Sequence, residues 1–192
     1  MVELWWIPLG AGGSFVKANG RLFEALAARR QGRPRAALYH SALLLHLEDR
    51  ILGIEQTPAW GRRADREVVA QGPVGVRAAG ALRWFRYEIH IASAGAIPDL
   101  AAAVDSPHRL SDDPARARAV LDAVRRVPVL TWGRDQSHCG EMWNSNSVIA
   151  WTLTTSGIDA ETITPPVGGR APGWSAGCTL ARRELEAHGS DA

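Results

Sequence analysis

The stretch LYHSALLLHLEDRILGIEQTP, residues 38–58, carries the clearest β-signal in the chain. Leu38 to Leu47 is an apolar run, Glu48 to Arg50 is a tight polar turn, and Ile51 to Thr57 is a second apolar run closed by Pro58. Two such runs joined by a short turn predict a β-hairpin. Side chains alternate along a strand, so His40, Ala42, Leu44 and His46 share one face. A two-residue turn at Asp49-Arg50 pairs residues whose numbers add to an odd total. Glu55 then lies on the face of His40, and a slip of one residue would move it to the other.

Outward from the hairpin, ELWWIPLGAGG predicts a strand over Glu3–Ile7, stopped by Pro8 and a glycine-rich turn. That turn is not a phosphate loop, because no Gly-Lys-Ser/Thr follows it. NGRLFEALAARRQG predicts a helix with Asn19 as cap, Leu22, Phe23, Leu26 and Ala27 on one face, and Gly32 after its end. A hairpin turning at Asn19-Gly20 competes with it. Residues 61–81 read as a loop with room for a short strand. ALRWFRYEIHIA reads as a strand rich in aromatic and β-branched residues. SDDPARARAVLDAVRRVP predicts a helix capped by Ser111 or Asp112, with Ala117, Val120, Leu121 and Val124 as its apolar stripe. VPVLTW reads as a short strand or an extended approach. SNSVIAWTLTTSG predicts a second helix ended by Gly157, PPVGGRAPGW a loop, and WSAGCTLAR a last strand. This order predicts an α+β fold, an antiparallel sheet packed against a few helices, in a single domain over 1–192.

Composition narrows the function. The 192 residues are 46% hydrophobic and 22% charged, ordinary values for a globular chain with a sizeable core. A net charge of +2, with arginines spread along the chain, gives no strong footprint for nucleic acid or an anionic membrane. No apolar run reaches the roughly 20 residues of a membrane helix. The N-terminus has Glu3 and no basic region, unlike a secretory signal. Two cysteines, Cys139 and Cys178, make no disulfide framework and fit a reducing cytoplasm. No set of ligands suggests a metal or other cofactor.

The chemistry-bearing candidate is GEMWNSNSVIAW, residues 140–151. Asn and Ser are the best helix N-caps, yet one cap suffices and Asn144 to Ser147 supply four. A hydroxyl there also sits at the positive end of a helix dipole, where an oxyanion or activated nucleophile is stabilised. A nucleophile needs a base, and His40 on the hairpin is the best placed, with Glu55 able to hold its tautomer. His46 is the alternative base. His90, His108 and His188 are expected at the surface.

The order of these parts resembles the circularly permuted papain-like hydrolases, which include NlpC-type and lecithin:retinol acyltransferase-like proteins. Their pattern is a strand-borne His, a polar partner on the next strand, and a Cys opening a later helix. YHSALLLHL, GIEQTP and WNSNSVIAWTL are similar to those blocks, with Ser145 at the Cys position, over about a third of the chain. The resemblance implies a permuted papain-like fold and acyl transfer or amide/ester hydrolysis. Ser145 would be the nucleophile, His40 the general base and Glu55 the orienting acid, with backbone amides and the Asn144 or Asn146 side chain on the oxyanion.

The Ser in place of Cys leaves two rival readings open. One is a catalytically silent small-molecule or peptide-binding protein on the same scaffold. The other is an acid–base enzyme using His40 and Glu55 on a small metabolite without a covalent intermediate. Cys139, six residues upstream of Ser145, could also substitute as nucleophile. Trp143, Asn144, Asn146 and Arg86 are the candidate ligand-binding residues, because pockets combine apolar walls with a few polar groups.

Overall fold

A computed structural model describes residues 1–9, 24, 25, 28–30, 32–60, 66–93, 97 and 100–189. Six strands form one antiparallel sheet in the order β4-β5-β3-β2-β1-β6. They are β1 (Val2–Pro8), β2 (Ala37–His46), β3 (Ile51–Pro58), β4 (Arg66–Pro73), β5 (Arg86–Ser93) and β6 (Val104–Ser111). A two-residue strand β7 (Gly169–Arg170) pairs in parallel with the start of β2. The described α-helices of eight residues or more are α1 (Pro114–Val124), α2 (Ser145–Thr155) and α3 (Trp174–Gly189). The expected α+β architecture with an antiparallel sheet is what forms.

The hairpin β2–β3 sets the frame. Its turn falls one residue earlier than expected, at Glu48-Asp49: the Leu47 amide bonds the Arg50 carbonyl at 2.9 Å, and Leu43 pairs with Ile54. The paired numbers still add to an odd total, so Glu55 and His40 do point to the same face. The opposite face carries Tyr39, Leu43, Leu45 and Ile54, which join Val2, Leu4 and Trp6 of β1 in the main core under the helices. A smaller cluster of Ile7, Ala42, Leu44 and Ile97 lies on the far face.

Helix α2 is central to the main core. Every residue from Asn146 to Leu153 is buried, which explains why its sequence is apolar all round rather than striped. Gly157 follows its end with φ of 81°, the left-handed conformation that glycine adopts without cost. Arg116 of α1 donates to the Ser156 carbonyl and ties the two helices at that end. Trp174 of α3 lies 5.0 Å from Trp6, ring centre to ring centre, and donates from Nε1 to the Ala160 carbonyl.

Four expectations need correction. WSAGCTLAR is the start of helix α3, not a strand. Its buried Trp174, Gly177, Cys178 and Ala181 recur at helical spacing, and its small residues let α3 lie close on α2. Residues 66–73 form a full edge strand. Its polar and glycine-rich composition suits an edge, and a bulge between Val68 and Ala70 breaks the alternation. The ALRWF part of the aromatic strand is instead a pair of 3-10 turns, Arg77–Ala81 and Arg83–Phe85, ahead of β5. The edge strand β6 went unread, since Asp105 and Pro107 disguise it; proline is tolerated only at such an edge. A smaller change is that α1 is capped by Asp113, whose Oδ1 accepts from the Ala115 amide at 2.8 Å. Glu24, Ala25 and Ala28 to Arg30 are helical, as expected. The cap and apolar face assigned to Asn19, Leu22, Phe23, Leu26 and Ala27, and the GAGG turn, lie outside the described residues.

Candidate functional site

At the entrance of α2, three of the four polar residues are used up in holding the fold. Asn144 is the N-cap: its Oδ1 accepts from the amides of Asn146 at 2.9 Å and Ser147 at 3.3 Å. Ser147 closes a capping box by accepting from the Asn144 amide at 3.1 Å, and its hydroxyl donates to the Gly173 carbonyl at 2.7 Å. Asn146 projects into the interior. Its Nδ2 donates to the Tyr39 and Pro172 carbonyls, each at 3.0 Å, and its Oδ1 accepts from the Ser41 hydroxyl at 3.0 Å. One asparagine thus joins a helix, a strand and the loop before α3. Glu141 adds to the junction by accepting from the Gly173 amide and the Ser175 hydroxyl, both at 2.8 Å.

Ser145 is the one member whose hydroxyl makes no hydrogen bond among the described residues, and it is partly exposed. The groups expected to serve it are elsewhere or engaged. The Ser41 side chain reaches the helix tip, so the preceding residue, His40, points through the sheet to the far face with its β1 partner Ile7. Ser145 and His40 therefore lie on opposite sides of the sheet. The oxyanion role assigned to Asn144 and Asn146 fails as well, because both carboxamides, and the amides of Asn146 and Ser147, already have partners. Where helix tip and strand meet, the side chains in contact are Ser41 and Asn146, a neutral and satisfied pair.

Glu55 is set against a different histidine. Its direct partner in the ladder is His90, whose Nε2 stands 3.9 Å from the carboxylate. His90 was expected at the surface but is 2% exposed. An aromatic strand buried on both faces leaves no solvent side for it. Next along β5, Glu88 accepts from Arg66 and, at 3.0 Å, from Gln71 of the edge strand. The alternative base His46 sits at the hairpin end with its Nε2 3.0 Å from Glu3.

His40 is surrounded by chain on most sides although part of it reaches solvent, and burial lowers its pKa to about 4. The unfolded imidazole titrates near 6.5. The unfolded chain thus binds the extra proton first as pH falls, and stability declines between pH 6.5 and about 4. Urea unfolding across this window should show a pH slope that His40→Gln reduces by at most about 1.4 kcal/mol per pH unit. An unchanged slope would assign the proton to another group.

Cys139 and Cys178 are both free thiols. Burial pushes Cys178 up to about 11, so it stays protonated at neutral pH. Cys139 lies in a loop before α2, its amide bonded to Asp135 at 2.8 Å and its sulfur 3.6 Å from Arg183. Among the described residues, no group of three or more His, Cys, Asp or Glu is placed to hold a metal ion.

Of the expected ligand-binding residues, Trp143 is 1% exposed and belongs to the core, and Asn144 and Asn146 belong to the junction. Arg86 is different. It lines a cavity of about 600 Å³ between β4, the turn Arg77–Ala81 and the segment Val129–Gln136. Its Nε donates to the Gly80 carbonyl and one Nη to Ala81, which fixes the guanidinium at the wall. Arg77 on the same wall is exposed, with no ion pair among the described residues. Gln71, Thr131 and Gln136 complete the polar lining, and none of the lining residues is acidic.

The walls are held firmly. The Trp132 amide bonds the Pro73 carbonyl and the Gly75 amide bonds the Trp132 carbonyl, both at 2.9 Å. The Tyr87 hydroxyl, pushed up to about 12 by burial and so always protonated, donates to the Leu130 carbonyl at 2.7 Å. Gly72 is required beneath it, since a Cβ there would lie 2.3 Å from that hydroxyl. Sequence reading singled out Arg86 on this wall and missed Arg77, whose only signal was the acid-free run from Val68 to Tyr87. No family model, curated protein or solved structure matches the chain.

Proposed function

We propose that this chain is a binding protein without a hydrolytic site of its own, and that its ligand is a small carboxylate or phosphate-bearing molecule held in the cavity between β4 and the segment Val129–Gln136. The observation that carries this reading is the lining: two guanidiniums, Arg77 and Arg86, two carboxamides, and no carboxylate. Guanidinium matches carboxylate and phosphate geometry with paired donors. The fixed Arg86 would orient the anion and the exposed Arg77 would close on it. The helix entrance supports catalytic silence, because Asn144, Asn146 and Ser147 are engaged in the fold and the Ser145 hydroxyl has no hydrogen-bond partner among the described residues.

A thermal-shift screen of small dicarboxylates, tricarboxylates and sugar phosphates tests this. At least one class should raise the melting temperature of the wild type, and Arg77→Gln should bind it roughly tenfold to a hundredfold more weakly. If no anion stabilises the protein, or Arg77→Gln binds equally well, the cavity is not the site. A serine-reactive fluorophosphonate should leave Ser145 unlabelled; stoichiometric labelling there would restore the hydrolase reading. The acid–base reading retains one supporting feature, the buried Glu55–His90 pair. Neither residue lines the cavity. Glu55→Gln is therefore expected to change stability and leave ligand affinity unaltered.

A further inference from the structure

Beyond the cavity, the two 3-10 turns before β5 present side chains that a globular surface normally hides. Leu82 is 59% exposed, Trp84 70% and Phe85 48%, and Trp60 at the end of β3 is 44% exposed. Trp60 and Trp84 stand side by side, ring centres 6.2 Å apart. These side chains project from turns, so they form a prominence rather than a groove. Contiguous exposed apolar surface of this kind marks a contact site.

On the two turns themselves the charge is of one sign. Arg77 and Arg83 are exposed on the same turns, and no Asp or Glu occurs from Val68 to Tyr87. Among the described residues, the flanking acids Glu67 and Glu88 are paired with Arg125 and Arg66. The turns are also fixed in advance: Arg83 donates to the Ala59 carbonyl at 3.2 Å, and Arg86 donates to Gly80 and Ala81. Docking would therefore cost little ordering entropy.

We propose that this prominence is a peripheral docking site for an anionic lipid surface, with Trp60, Leu82, Trp84 and Phe85 entering the headgroup region and Arg77 and Arg83 pairing with lipid phosphates and carboxylates. Tryptophan favours the membrane–water interface because its ring is apolar and its N–H is polar. Adjacent arginines add electrostatic attraction that salt screens. Exposed rings beside two arginines complement a flat anionic surface.

Co-sedimentation with vesicles of phosphatidylcholine, alone or mixed with phosphatidylserine, tests the site. The full chain should partition onto the mixed vesicles, far less onto phosphatidylcholine alone, and should be released by high salt. The double change Trp84→Ala and Phe85→Ala should weaken partitioning at least about tenfold, and Arg83→Gln about fivefold. Both aromatic positions are exposed, so an unchanged melting temperature would show that the variant is folded. Equal binding to the two vesicle types, or by wild type and double variant, would overturn the proposal. So would the absence of vesicle binding together with a dimer that Trp84→Ala dissociates, which would make the prominence a contact between copies of this chain.

Discussion

Asn146→Ala is expected to lower the unfolding free energy by about 3 kcal/mol, while Ser145→Ala, one residue away, changes it by less than about 0.5 kcal/mol. The contrast follows from where the two side chains point. Asn146 satisfies two buried carbonyls and the Ser41 hydroxyl. Alanine leaves the Tyr39 carbonyl and the Ser41 hydroxyl without this partner, while the Pro172 carbonyl keeps the Asn144 carboxamide at 2.8 Å, and it opens a gap between β2, α2 and the Pro172 loop. Asn146→Asp should be at least as harmful. Its carboxylate keeps the acceptor for Ser41 but sets negative charge against the Tyr39 and Pro172 carbonyls. Urea denaturation of the variants checks the order. A hydrolase would show the reverse pattern, with Ser145 critical for activity and Asn146 dispensable for folding.

The second large effect is expected at Gly177→Ala. A Cβ at this position would lie 2.2 Å from the Ser147 carbonyl oxygen and 2.9 Å from the Ala150 side chain. The first obstacle is backbone in the first turn of α2, which cannot turn aside as a flexible side chain would. Helix α3 must shift outward, which disturbs the Trp174–Trp6 contact and the bond from Trp151 Nε1 to Glu184, 2.8 Å in length. Overpacking of this kind costs about 1–3 kcal/mol, and occasionally more. Alanine is the better helix former by about 1 kcal/mol, so a net loss of about 2 kcal/mol would show that packing overrides propensity. A melting temperature at or above that of the wild type would mean that the two helices are less closely packed.

The hairpin, helices α1 and α2 and the α+β class were legible because their signals are local. Two apolar runs flank Glu48–Arg50, Asn144 heads an apolar run, and Gly157 ends it. What sequence could not convey is which face meets which element. His40 and Glu55 were assigned to one face correctly, yet that face is the one turned from α2, and only the bond between Ser41 and Asn146 reveals it. The same bond resolves the surplus of caps at Asn144–Ser147: one residue caps, one completes the box, and one reaches the neighbouring strand.

The start of α3 was misread because WSAGCTLAR is short of charge and long on small residues, which suits a buried strand as well as a helix laid against another helix. His90 gave no sign of burial, since its place depends on strand β3 supplying Glu55 opposite it. Arg77 went unnoticed for a similar reason. The cavity wall it belongs to joins residues 71–86 to residues 129–136, and no local pattern links those segments.

Calorimetric titration decides whether the protein holds an anion at the Arg77–Arg86 wall and performs no chemistry at Ser145. Wild type, Ser145→Ala and Arg77→Gln would each be titrated with the anion that most stabilises the wild type. Ser145→Ala should bind like the wild type, and Arg77→Gln should bind at least about tenfold more weakly. Loss of binding in Ser145→Ala with full affinity in Arg77→Gln would contradict the account and return the site to the entrance of α2.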